Sequence, residues 1–221
     1  MNIVFDLDGT LIDSRLRLYS LFQHLAPDSP LNFEQYWAFK RGHVSNETIL
    51  STELGYGQDR IARFVAVWMN LIESPPYLAL DGNFPGMHAT LAGLQERADL
   101  HVCTSRQKRQ PVLDQLASLD LLPFFTQVLV TEQKHSKESL IAEHIPGVST
   151  QDWLVGDTGK DIQIGKLLNM NTCAVLSGFS NGSNLQKYFP DLIVDSVIDF
   201  SKTVDKFGGT NEQFTSIADE K

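Results

Sequence analysis

Along most of the chain, short apolar runs alternate with longer segments whose apolar residues recur at helical spacing. Residues 3–5, 100–103, 128–130, 153–155, 172–176 and 192–194 read as strands. Residues 86–97, 107–117, 137–144, 161–169 and 197–206 read as the helices between and after them. A strand–helix rhythm of this kind predicts an α/β fold built on a mostly parallel sheet.

Residues from about 14 to 80 break the rhythm. Stretches at 16–26, 33–40, 46–54 and 58–73 have helical period, and no strand stands out among them. Ile61, Phe64, Val65, Trp68 and Leu71 form one apolar stripe and read as packing inside this block. The pattern predicts an all-helical cap, residues 15–81, inserted into a core made of residues 1–14 and 82–207. Asp13-Ser14 on one side, and Asp81-Gly82 through Pro85-Gly86 on the other, are the expected hinges. The polar stretch 208–221, opened by Gly208-Gly209, reads as a flexible tail.

Composition narrows the choice of partner. The 221 residues carry a formal net charge of −9 without a Lys/Arg run, which argues against nucleic acid. A small anionic substrate would need a local positive site working against that field. No segment approaches the roughly 18 apolar residues of a membrane span. The start at Asn2-Ile3-Val4-Phe5 lacks the basic and apolar stretches of a signal peptide. Cys103 and Cys173 each lie in an apolar strand, as isolated thiols of a reducing compartment do. A cytoplasmic protein with no membrane partner is the expectation, and nothing requires more than a monomer.

The chemistry gathers at the ends of strands. Phe5-Asp6-Leu7-Asp8-Gly9-Thr10 ends an apolar strand in two carboxylates two positions apart. Strand period would put them on one side, where like charges need a cation or a shared proton. A turn at Asp8-Gly9 with a capping Asp6 is the bland alternative. Val155-Gly156-Asp157-Thr158-Gly159-Lys160-Asp161 ends a second strand in an acid, with another four positions on. Asp157 could bind a metal and Asp161 orient a neighbour, or they could cap the following helix. Thr104 and Ser105 close a third strand at a helix start, either as an anion site or as ordinary caps. Lys134 and Lys137 precede a helix, where a lysine is usually solvated. Every candidate falls at the carboxyl end of a strand, which is where open parallel sheets bind ligands.

Together, Asp6-Leu7-Asp8-Gly9-Thr10 with Asp13-Ser14, Thr104-Ser105, a lysine before a helix, and Gly156-Asp157 with Asp161 resemble the motifs of the haloacid dehalogenase superfamily. The resemblance is to its capped, phosphoglycolate phosphatase-like branch, and it extends from Met1 to about Phe207. It implies a Rossmann-like sheet with the first strand central. It also implies a Mg²⁺-dependent phosphatase acting on a small phosphorylated metabolite. In that scheme Asp6 attacks phosphorus and Asp8 gives and then takes a proton. Thr104, Ser105, Gly9 and a lysine hold the phosphoryl oxygens. Asp6, the Asp8 carbonyl and Asp157 bind magnesium, and Asp161 supports from behind. A hard cation with few carboxylate ligands, a lysine and a hydroxyl are what phosphoryl transfer through a covalent intermediate requires.

The chain departs from the branch in having no proline after either lysine. Lys137, which opens its helix directly, is preferred over Lys134. Arg106 is open to a second positive contact or to a surface position. Arg41, with Lys40, Gly42 and His43, offers a basic loop able to reach the substrate, or only a solvated helix end. A sugar-phosphate mutase would carry the same motifs, and a catalytically silent binding protein on this fold is the remaining alternative. Selectivity is expected in the cap, and the substrate itself is not named by the residues.

Overall fold

The structure, a computed structural model, describes residues 1–204. The stretch 208–221 and the last two residues of the helix predicted at 197–206 lie outside it. The chain begins with β1 (Asn2–Phe5) and a two-residue β2 (Ile12–Asp13), followed by α1 (Arg15–Leu25), α2 (Phe33–Arg41), α3 (Asn46–Thr52), α4 (Gln58–Leu71) and α5 (Pro75–Leu78). It continues through β3 (Gly82–Asn83), α6 (Met87–Gln95), β4 (Asp99–Thr104), α7 (Arg109–Ser118) and β5 (Gln127–Val130). Then come α8 (Lys137–His144), β6 (Trp153–Gly156), α9 (Gly159–Leu167), β7 (Asn171–Val175), α10 (Gly182–Gln186), β8 (Leu192–Val194) and α11 (Val197–Thr203).

Six strands form one parallel sheet in the order β5-β4-β1-β6-β7-β8. β1 is therefore central, and the chain winds outward from it in both directions. Alternation along β1 divides the core. Ile3 and Phe5 pack with Met87, Leu91, Val112, Leu116 and Phe200 on one face. Val4 packs with Cys103, Leu140, Ile141, Leu154 and Ile164 on the other. Continuing the alternation by two residues puts Asp6 on the side of Val4, toward α8 and α9. Both cysteines are free and buried. Among the described residues, no helix is long and apolar enough to cross a membrane.

The helices between β2 and β3 hold an apolar cluster of their own, with Phe22, Tyr36, Ile49, Leu50, Ile61 and Phe64 at its centre. The stripe on α4 enters it, with Val65 and Trp68 partly buried beside the others. Asn32 starts α2 by accepting the Gln35 N–H, while Gln35 accepts the Asn32 N–H in return. β2 and β3, both too short for a period to register, pair antiparallel through Ile12↔Asn83 and Asp13↔Gly82. This ladder clips together the two chain segments that enter and leave the helical block. The short α5 and α10 were likewise invisible to periodicity, since each spans little more than one turn.

Phe200 ties α11 to the sheet. It is fully buried and meets Phe5 edge-on at 6.4 Å and Trp153 at 5.3 Å between ring centroids. Phe200→Ala should destabilise by about 3–5 kcal/mol, the range for truncating a buried aromatic. Phe189, 77% exposed, is the control, and Phe189→Ala should stay within about 0.5 kcal/mol of the parent. Urea unfolding followed by circular dichroism measures both.

Candidate active site

β1 ends at Phe5, where the Asp6 N–H still donates to Val155 O of β6 at 2.9 Å. The chain then turns sharply, with Leu11 N–H and Ile12 N–H both donating to Leu7 O. Gly9 sits in the turn at φ +79°, and a Cβ there would come within 2.8 Å of both Asp157 Oδ2 and Gly178 Cα. This position needs glycine for its backbone angle and for the closeness of its neighbours. The strand whose alternation would carry Asp6 and Asp8 ends at Phe5, three residues before Asp8. Both carboxylates reach the same cavity, but they find different partners.

Asp6 faces Lys137, the first residue of α8. The Lys137 Nζ lies 2.6 Å from Asp6 Oδ1 and 2.7 Å from Asp161 Oδ1. Asp161, on α9, accepts the Thr158 N–H and hydroxyl with its other oxygen. Asp157, fully buried, accepts the Phe179 N–H at 2.6 Å and the Thr10 hydroxyl at 3.3 Å. One oxygen each from Asp6, Asp157 and Asp161 lies within 4.8 Å of the others. Three carboxylates face one ammonium. Burial, only partly offset by Lys137 and reinforced by Asp161 and Asp8, pushes the Asp6 carboxyl up to about 6. Burial and the charges of Asp6 and Asp161 push Asp157 well above the usual carboxylate range. Lys137 shifts upward, because Asp161 and Asp6 outweigh the burial that alone would lower it.

Asp8 belongs to a second cluster. Arg106 approaches it side-on, with Nε 2.5 Å from Oδ2 and Nη2 2.7 Å from Oδ1. Arg17, from α1, also donates to Oδ1. Asp81, just before β3, lies behind both arginines, 3.1 Å from Arg17 Nε and 3.5 Å from Arg106 Nη2. Burial alone would raise the Asp8 carboxyl, but Arg106 and then Arg17 hold it well below the usual range. Asp81 goes the other way, to about 6, because burial and the Asp8 charge outweigh the two arginines.

The cavity holds about 210 Å³ and is lined by Asp6, Asp8, Thr104, Ser105, Arg106, Lys137, Asp157, Thr158, Lys160, Asp161 and Phe179. Thr104 and Ser105 close β4 and reach it as the sequence suggested. Lys134 does not line it, and its exposed side chain lies 4.0 Å from Glu132. Arg41 does not line it either. Its carbonyl accepts the Asn181 N–H, so the basic loop meets the loop after β7 instead of the cavity. Gly9 acts from behind the wall, against Asp157. Arg106, left open between site and surface, is 5% exposed and sits on Asp8. Arg17 and Asp81 escaped the sequence reading because each lies in a helical or hinge segment with no motif around it. The available signal was weak: an arginine on α1 sharing a face with the buried Leu21. Phe179 was equally unmarked, in a loop whose role appears only when Asp157 is reached.

This geometry has close counterparts. The haloacid dehalogenase-like hydrolase family matches residues 3–175, and the chain belongs to that family. The pyrophosphatase PpaX of Oceanobacillus iheyensis is 27% identical over 205 residues, covering 89% of this chain and 93% of that protein. The phosphoglycolate phosphatase of Synechococcus elongatus is 26% identical over 212 residues, covering 91% and 96%. Among solved structures, a haloacid dehalogenase-like family hydrolase from Streptococcus pneumoniae superposes with a TM-score of 0.74 at 22% identity, covering 90% of this chain and 95% of that one. At this identity the superposition speaks to the fold: the Rossmann-like parallel sheet with its flanking helices is shared.

The raised Asp6 carboxyl has a consequence for stability. A group whose folded-state value exceeds its unfolded one stabilises below the unfolded value, and that stability is lost as pH rises through the folded value. For Asp6 the window runs from 3.8 to about 6. In metal-free buffer, Asp6→Asn should therefore gain stability relative to the parent as pH goes from 4.5 to 7. Thermal melts of both proteins in EDTA across that range measure it, and a difference that does not change with pH would contradict the assignment.

Proposed function

We propose that the chain is a magnesium-dependent phosphatase that cleaves small phosphomonoesters through a phospho-aspartate on Asp6. The observation that carries the reading is the convergence of Asp6, Lys137, Asp157 and Asp161 in one small cavity at the carboxyl end of the central strands. The same position at the reversal of strand order is where ligands bind in open α/β sheets. We further propose that residues 15–81 act as a cap on a catalytic core formed by 1–14 and 82–207.

The donor set fits a hard divalent cation. Asp6 and Asp157 offer carboxylate oxygens, and their mutual repulsion is only partly relieved by Lys137. When bound, magnesium would neutralise the approach of an anionic phosphate to an anionic carboxylate. The remaining work falls to the chain itself. Lys137 fixes the Asp6 carboxylate and presents positive charge to the phosphoryl oxygens. Thr104 and Ser105 supply hydroxyls from the end of β4. An Asp6 oxygen forms the new bond to phosphorus while the bond from phosphorus to the leaving oxygen breaks. Arg106 and Arg17 keep Asp8 ionised at rest. It first takes up a proton from solvent as they loosen their hold, and it then gives that proton to the leaving oxygen. In the second half Asp8 takes a proton from water, whose oxygen attacks phosphorus and frees Asp6. Positioning and charge stabilisation account for most of such a barrier.

The cavity of about 210 Å³ is large enough to take a phosphoryl group. The names of the relatives make phosphoglycolate and pyrophosphate the first compounds to try. Release of phosphate from p-nitrophenyl phosphate and from this panel should require magnesium and stop in EDTA. Asp6→Asn should abolish it, and Asp8→Asn should reduce it by about 10²–10⁴-fold, the contribution of a positioned acid–base group. Wild-type turnover by either variant would refute the mechanism. Exchange of phosphate between positions of a sugar phosphate, with little release, would point to a mutase.

A further inference from the structure

The Asp8 carboxylate faces the cavity with only 19% of its side chain exposed. Three donors, Arg17 Nη2, Arg106 Nη2 and Arg106 Nε, occupy its two oxygens. Both arginines are almost wholly buried, at 2% and 5% exposure, and both come from segments outside the strand that carries Asp8. To turn toward a leaving group, the carboxylate must give up at least part of this grip. Buried guanidinium groups released from one anion need another, since an uncompensated buried charge is strongly unfavourable.

Asp81 is that second anion. Its Oδ1 lies 3.1 Å from Arg17 Nε, and its Oδ2 lies 3.5 Å from Arg106 Nη2. Gln115 braces the pair: its Nε2 donates to Asp81 Oδ2 at 2.8 Å, and its Oε1 accepts from Arg106 Nη2 at 3.3 Å. Arg106 Nη2 thus sits between two carboxylates, closer to Asp8 than to Asp81. Arg106 Nη1 is buried without a hydrogen-bond partner, so the guanidinium has a donor in reserve. Glu73, the other acid close to the arginines, is tied to the Gln107 N–H at 2.8 Å. Asp81 immediately precedes β3, at the clip joining the helical block to the sheet, and Arg17 lies on the first helix beyond the clip.

We propose that Asp81 is a positioning residue, which shares Arg17 and Arg106 with Asp8 and thereby frees the Asp8 carboxyl for its task. Two buried anions balance two buried cations, and the arginines shift their weight between them as Asp8 engages the substrate. The inference rests on the role proposed above for Asp8. Removing the charge of Asp81 should leave both arginines fastened to Asp8 alone and hold it away from the reacting phosphate. Removing Arg17 as well should restore the balance of one cation to one anion.

The test compares Asp81→Asn, Arg17→Gln and their double variant with p-nitrophenyl phosphate, using folded protein verified by near-UV circular dichroism. Asp81→Asn should lose at least about tenfold in kcat, part of the roughly 10²–10⁴-fold supplied by a positioned acid–base group, with KM within about twofold. The double variant should turn over faster than Asp81→Asn. A merely structural aspartate gives the reverse order, because the second buried substitution adds damage. If Asp81→Asn does not fold, Gln115→Met loosens the brace without changing charge, and it too should lower kcat at unchanged KM. Unchanged kcat in the folded variant, or no recovery in the double variant, overturns the inference while Asp8→Asn remains inactive. Full turnover by Asp8→Asn would instead remove the reading on which the inference stands.

Discussion

Like charge crowded at the carboxyl end of the sheet governs this molecule. Asp6, Asp8, Asp157 and Asp161 are all brought to one cavity by two adjacent strands and their turns. Water cannot screen them fully there, so each needs its own compensation. The chain solves the problem twice. Lys137 sits between Asp6 and Asp161, whereas Arg17 and Arg106 take Asp8. Asp157 has hydrogen bonds but no cation of its own, and that deficit defines where further positive charge fits. Ion pairs this buried seldom add much net stability, because desolvation consumes most of the attraction. They do fix where each carboxylate points, Asp6 to Lys137 and Asp8 to the two arginines.

The fold supplies the positions by ordinary means. Strands Asn2–Phe5 and Trp153–Gly156 pair with Phe5 opposite Val155, so Asp6 and Asp157 follow just past the ends of two adjacent strands. The sheet order reverses at β1, and the loops that follow diverge around the cavity. Helices α8 and α9 then begin at the cavity's edge, which carries Lys137 and Asp161 to it on their first turns. Apolar packing on the two faces of β1 holds this frame. Phe5 and Val4 belong to separate clusters on opposite sides of the same strand.

The sheet strands were legible because each is a compact apolar run between polar turns. The motif acids were legible because they stand at the ends of those runs. What escaped has physical causes in particular residues. Ile12–Asp13 and Gly82–Asn83 are two-residue strands, too short for any period, and only their pairing reveals them. Strand period, carried past the end of β1 at Phe5, put Asp6 and Asp8 on one side but did not show that they find different cationic partners. Arg17 and Asp81 are 64 positions apart in the chain and meet only when the helical block folds back on the clip. Arg41 looked like a substrate contact because its local setting is basic, yet its backbone serves as an anchor for the loop at Asn181. A sequence reports such long-range partners only through their consequences, and here those are electrostatic.

The clip between β2 and β3 has one more implication. Paired antiparallel at Ile12↔Asn83 and Asp13↔Gly82, it brings the two ends of the helical insertion together before the chain re-enters the sheet. The register of the six sheet strands is therefore indifferent to what lies between Ser14 and Asp81. A change inside that block would reach the carboxylates at the end of β1 only through side chains that cross the clip. Arg17 is such a side chain: it belongs to the helical block, yet it holds Asp8 below and Asp81 at the clip, so the block and the sheet share one charge balance.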